Sequence, residues 1–134
     1  MAVIDASALA GWLLPDEDGP DISILFDGQP IVAPWLLWVE LRNILMMIER
    51  RGRIEPADTD TILQQVDKLG IVLDTSADSE RVMALARRHR LTAYDSTYLE
   101  LAIRRGEPLA SLDKALIAAA KVEKVDMLRD AYNT

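Results

Sequence analysis

Short apolar runs alternate along the chain with longer stretches of helical period. "AVID" reads as a buried strand and "ASALAGWLL" as the helix after it, ended by "PDEDGPD", in which Pro, Gly and acids all form turns. A short helix around "ISILF" and a strand "PIVA" come next, then a long helix from about Trp35 to Arg51 that Gly52 stops. "PADTDTILQQVDKLG" opens on Pro and acids and closes on Gly70, as a capped helix does; "IVLD" is the next strand and "SADSERVMALARRHR" the next helix. After "LTAYD" the pattern predicts a helix "STYLELAIRRG", a strand "PLASLD", a helix "KALIAAAKVEK" and a last strand at "VDML". Short strands each followed by a helix predict an α/β fold, a central parallel sheet of four to five strands flanked by helices. At 134 residues, half of them hydrophobic, the chain suits one domain over 1–134 with a real core.

One residue breaks the pattern of the long helix. At helical spacing Leu37, Glu40, Leu41, Ile44 and Ile48 share a face, so Glu40 puts a carboxylate where the core should be. A buried Glu usually pairs with a cation, but Arg42 is two positions away and points to another side of the helix. Asp5 ends the first strand in "VIDAS", Asp95 opens a helix in "TAYDSTYLELA" and Asp113 ends a strand in "LASLDKA". In an open α/β sheet the crevice beyond the carboxyl ends of the strands is where these acids would converge. Singly, Asp95 and Asp113 also fit as helix N-caps, and Glu40 as the partner of a remote arginine. Together they repel by about 4 kcal/mol per close pair at an effective dielectric near 20, a conflict that divalent cations remove. All-oxygen ligands select hard ions, here one or two Mg²⁺ or Mn²⁺.

Composition narrows the chemistry. There is no cysteine, which excludes disulfides, thiolate metal sites and a cysteine nucleophile, and the single His89 cannot form a histidine cluster. His89 lies in the basic string "ARRHRL" and is expected on the exposed surface. The apolar runs are too short to span a membrane and the N-terminus lacks the basic region of a signal peptide, so a cytoplasmic protein without membrane contact is expected. The net charge of −7 opposes long-range attraction to a polyanion, and no DNA binding is expected of this chain alone. The arginines nevertheless come in bunches: Arg50, Arg51 and Arg53; Arg87, Arg88 and Arg90; Arg104 and Arg105. Each bunch reads as a solvated helix end, and as a set they would also form a positive rim around an acidic centre.

The segments "VIDASALAGWLLPDED", "PWLLWVELRNIL", "TAYDSTYLELA" and "LASLDKAL", in this order and over nearly the whole chain, resemble the acidic signature of the PIN-domain ribonucleases, and more narrowly the VapC-type toxins of bacterial toxin–antitoxin pairs. The resemblance implies metal-dependent cleavage of RNA, with Asp5, Glu40, Asp95 and Asp113 as the carboxylate quartet that holds metal and acts in catalysis. Ser7, Asn43 and Ser111 match the family's supporting polar positions. A structured RNA of the tRNA or ribosomal class is the implied substrate, cut by water to leave a 5′-phosphate and a 3′-hydroxyl. Of the basic strings, Arg87, Arg88 and Arg90 lie closest to Asp95 and are the expected RNA-binding residues. A homodimer and a small cognate antitoxin are the implied partners, with Trp12, Trp35, Trp38, Met46 and Met47 as candidate contacts.

Two other classes compete. A receiver or phosphatase would phosphorylate Asp5, but a phosphatase of that kind wants a second Asp where Ser7 stands, and Lys114 follows the last acid instead of occupying a receiver's position. A catalytically silent PIN-like binding module would not need acids at all four positions.

Overall fold

A computed structural model of the protein describes residues 1–14 and 29–128. The loop "PDEDGPD" and the helix expected around "ISILF" lie outside the described residues. The elements follow the expected alternation: β1 (Ala2–Ile4), α1 (Ala6–Leu13), β2 (Ile31–Pro34), α2 (Leu36–Arg50), α3 (Pro56–Lys68), β3 (Val72–Asp74), α4 (Ser79–His89), α5 (Ala93–Arg105), β4 (Leu109–Ala110) and α6 (Lys114–Val122). The strands form one parallel sheet in the order β3-β2-β1-β4, with Val3 opposite both Val32 and Leu109. Every residue of β1, β2 and β4 is buried, as strands covered on both faces must be. The strand expected at "VDML" contracts to a single bridge between Met127 and Leu109.

This order puts a topological switch point beside β1. The chain steps outward from β1 to β2 and β3, then returns to place β4 on the other flank of β1. At such a switch point a parallel sheet is expected to offer a crevice beyond the carboxyl ends of the two strands. The residues that leave those strands are Asp5 and the run Ser111 to Asp113.

Two helices bring the remaining acids. α2 buries Leu37, Leu41, Leu45 and Ile48, one stripe at helical spacing, and packs on α1. Gly52, at φ +74°, takes the left-handed conformation just beyond its end. α5 packs against α4, α6 and the strands β1 and β2, which is why its buried residues run almost all round it, from Ser96 to Ala102. It begins at Ala93, earlier than the expected "STYLELAIRRG", because Thr92 is the cap: its hydroxyl accepts the Asp95 N–H at 3.1 Å. Asp95 sits inside the first turn and is not the N-cap.

Buried acids away from the crevice are matched by arginine. Glu100 is fully buried and accepts from Arg104 Nε at 2.7 and 3.0 Å. Arg104 also grips Asp74 with both terminal nitrogens, at 2.9 and 3.2 Å, and Arg105 adds a bond of 3.0 Å to the same carboxylate. Arg104 holds the Asp74 carboxyl well below the usual carboxylate range. The Arg104–Arg105 bunch is thus a partly exposed counter-charge that joins α5 to the end of β3.

Candidate active site

Asp5 is the fixed point of the crevice. It caps α1 and is 3 % exposed. Its Oδ1 accepts the Ser7 hydroxyl at 2.8 Å and the Ala8 N–H at 2.9 Å, while Oδ2 accepts the Ser111 hydroxyl. Both serines are pinned in turn, Ser7 Oγ by the Leu112 N–H at 2.9 Å and Ser111 Oγ by the Asp113 N–H at 3.0 Å. The two serine hydroxyls stitch the β1–α1 junction to the β4–α6 junction across the switch point. A carboxylate held by three donors has no rotamer freedom left, so its orientation is set before any ligand arrives.

The other acids are held more loosely. Asp113 caps α6, with Oδ1 accepting the Leu116 N–H at 2.8 Å, so this acid is both a cap and a member of the cluster. Glu40, half-buried on α2, accepts the Tyr98 hydroxyl on Oε1 at 2.7 Å. Asp95 is half-buried, and among the described residues nothing donates a hydrogen bond to its carboxylate. The four feel one another: Asp113 and Asp5 act on Asp95, Asp95 on Glu40, and Asp113 on Asp5.

Electrostatics sets this cluster apart from the one around Asp74. Burial pushes Asp5 up, and burial with the Asp95 charge pushes Glu40 up. Asp95 is raised to about 6, first by burial, then by Asp113 and Asp5. Among the described residues no Lys or Arg pairs with any of the four. A carboxylate cluster without a cation from the described residues fits a bound metal ion. The donors are all carboxylate oxygens, which fits Mg²⁺ or Mn²⁺. Among the described residues no three acids close into a ligand cage. Mg²⁺ does not need one, since it keeps several waters and is held through one or two carboxylates.

The PIN domain family model matches residues 2–122, which include all four acids and both serines. The chain belongs to the PIN-domain family. It is 29 % identical over 118 residues to Ribonuclease VapC3 of Pyrobaculum aerophilum, a match covering 85 % of this chain and 90 % of that protein. The crystal structure of PAE2754, also from Pyrobaculum aerophilum, superposes with a TM-score of 0.72 at 24 % identity, covering 88 % of this chain and 83 % of the other, and so has the same fold.

Other expected residues of this PIN domain differ in exposure and in partners. Asn43 lies one turn beyond Glu40 but is exposed, with its amide directed to Met47 Sδ at 3.8 Å. Arg87 and Arg90 are exposed at the end of α4, whereas Arg88 bonds Glu123 at 2.9 Å. His89 is not an exposed surface histidine: its side chain is 9 % exposed and its Nε2 lies 2.6 Å from the same Glu123 oxygen. That carboxylate ties the end of α4 to the end of α6, and the pair of basic partners holds Glu123 below its ordinary value. Tyr98 and Thr92 were not expected at the site. "TAYDSTYLELA" contains both, and Tyr98 shares the helix face of Asp95 at a spacing of three.

The raised acids make a signed prediction about pH. In metal-free protein Asp5, Glu40 and Asp95 keep protons in the folded state that the unfolded chain has released, so stability falls as pH rises from about 4, the unfolded value, through the folded value of Asp95 near 6. The urea midpoint in EDTA is expected to drop between about pH 4 and about pH 7, the drop shrinking in Asp95→Asn and on adding Mg²⁺. The Asp95→Asn comparison isolates the cluster; an equal drop in that variant contradicts the assignment.

Proposed function

We propose that this PIN domain is a metal-dependent endoribonuclease toxin, which cleaves a structured RNA of the tRNA or ribosomal class by water attack on a phosphodiester and is inhibited by a cognate antitoxin. The observation that carries the reading is the convergence of Asp5, Glu40, Asp95 and Asp113 at the switch point with no cation from the described residues, in a chain similar to Ribonuclease VapC3. These four carboxylates would hold one or two Mg²⁺ or Mn²⁺ ions. Such an ion, when bound, supplies a water of lowered pKa and positive charge at the phosphate.

The residues divide the remaining work. Asp5, locked by Ser7, Ala8 and Ser111, fixes the position of the negative charge around which the site is built. Asp113 and Glu40 each commit one oxygen to a protein donor and leave the other for the crevice. Asp95 commits neither to a described residue, so its carboxylate is the one that can follow the substrate. Asn43, exposed on the Glu40 helix, is assigned to contact with RNA. No histidine general base is needed, since His89 is held by Glu123 on other helices.

Arg87, Arg88 and Arg90 remain the proposed RNA rim, with Arg87 and Arg90 the members whose charges are not already bound to Glu123. Arg87→Ala with Arg90→Ala should weaken RNA binding in Ca²⁺ and flatten its salt dependence by about two in slope, leaving metal affinity unchanged. An unaltered salt series would place the rim elsewhere. Trp35, Trp38, Met46 and Met47 are exposed along α2, an apolar surface suited to a homodimer or an antitoxin, while Trp12 packs on the core. No helix among the described residues is long and apolar enough to cross a membrane. Product analysis tests the reaction class: RNA incubated with the protein and Mn²⁺ should yield 5′-phosphate and 3′-hydroxyl ends, and 2′,3′-cyclic phosphate ends would refute it.

A further inference from the structure

We infer that Tyr98 is a positioning residue, whose hydroxyl sets the Glu40 carboxylate for the metal; this rests on the metal-dependent reading above. Tyr98 is 1 % exposed, and a buried phenol requires a hydrogen-bond partner. Its hydroxyl, on α5, reaches Glu40 Oε1 on α2 at 2.7 Å, across 58 positions of sequence. The bonding has one direction only, because a carboxylate can accept and the phenol must donate.

The need for such a donor comes from the length of the side chain it holds. Asp5 and Asp113 have short side chains, and each is fixed by a backbone N–H at a helix start. Glu40 has one more rotatable bond, lies mid-helix where backbone N–H groups are already used, and has no other described hydrogen bond. With Oε1 held, Oε2 is the oxygen left to the crevice. Asp95 and Tyr98 stand three apart on α5, so one helix face carries an acid of the cluster and the support of another. A phenylalanine would fill the same volume in the core, and only the hydroxyl serves Glu40.

Tyr98→Phe keeps the ring and removes that hydroxyl. Mn²⁺ affinity measured by calorimetry without RNA should fall about 10- to 100-fold, the range for loss of a group that orients a ligand, and excess Mn²⁺ should restore much of the cleavage rate with KM for RNA little changed. In a Glu40→Gln background the same substitution should have no further effect on Mn²⁺ affinity, an outcome that a general packing role would not produce. Affinity in Tyr98→Phe within twofold of wild type, or an equal loss in both backgrounds, overturns the role of Tyr98 while leaving the metal site standing. Wild-type protein that binds no Mn²⁺ overturns both.

Discussion

Asp5→Asn is expected to lower divalent-dependent RNA cleavage by at least about 10²-fold, since even outer partners of metal ligands cost up to that much when lost. The same change should leave metal-free stability equal or higher. Asn caps a helix as well as Asp does, so its oxygen can still accept the Ser7 hydroxyl and the Ala8 N–H at the positions now 2.8 and 2.9 Å away. On the other side the amide meets Ser111 Oγ, whose hydroxyl can rotate to accept it. What disappears is a buried charge that Asp113 and Asp95 both oppose. Parallel cleavage assays and thermal melts in EDTA check both halves. Wild-type cleavage, or a melting point lowered by several degrees, contradicts the assignment of Asp5 as a ligand held in strain by its neighbours.

Arg104→Ala is expected to have the opposite profile, with a stability loss of about 3–5 kcal/mol, as when one partner of a buried ion network is removed. Arg105 would remain on Asp74 at 3.0 Å, but Glu100, fully buried, would keep among its described partners only the Asp78 N–H at 3.5 Å. Arg104→Lys should recover little of the loss, because an ammonium cannot serve Glu100 and both Asp74 oxygens with one planar fork. Asp74, held low, lends stability that is present above the unfolded carboxyl value and fades as pH falls, so the gap between wild type and Arg104→Ala should narrow in acid. Urea unfolding at neutral pH measures the effect. A loss below about 1 kcal/mol would mean that the buried carboxylates protonate or find water instead.

The two networks show what a single sequence discloses and what it hides. The strands and the acids at their ends were legible because strand-to-helix alternation dictates a parallel sheet, and such a sheet has one functional edge. Asp5 and Asp113 follow directly, and Glu40 follows from a charge at a core position of α2. Contacts between distant elements carry no local signal. Nothing in "ARRHRL" announces that His89 meets Glu123, 34 positions on, and nothing in "AIRRG" announces that Arg104 and Arg105 turn inward to Asp74. The start of α5 was misplaced for a different reason. Asp is favoured both as a cap and in the first turn, and here the Thr92 hydroxyl takes the cap, which leaves the Asp95 carboxylate for the crevice. Tyr98 was hidden by its ring, since a tyrosine on a buried helix face packs like any core aromatic until its hydroxyl is traced to Glu40.

The central claim is that Asp5, Glu40, Asp95 and Asp113 form a site completed by a divalent ion, and cleavage by metal-stripped protein tests it most directly. One preparation, assayed on one labelled structured RNA, should be inactive in EDTA, regain cleavage as Mg²⁺ or Mn²⁺ is titrated back, and remain inactive at every metal concentration when Asp95 is replaced by Asn. Cleavage that persists in EDTA at the rate seen with metal, or an Asp95→Asn protein that follows the wild-type titration, would contradict it.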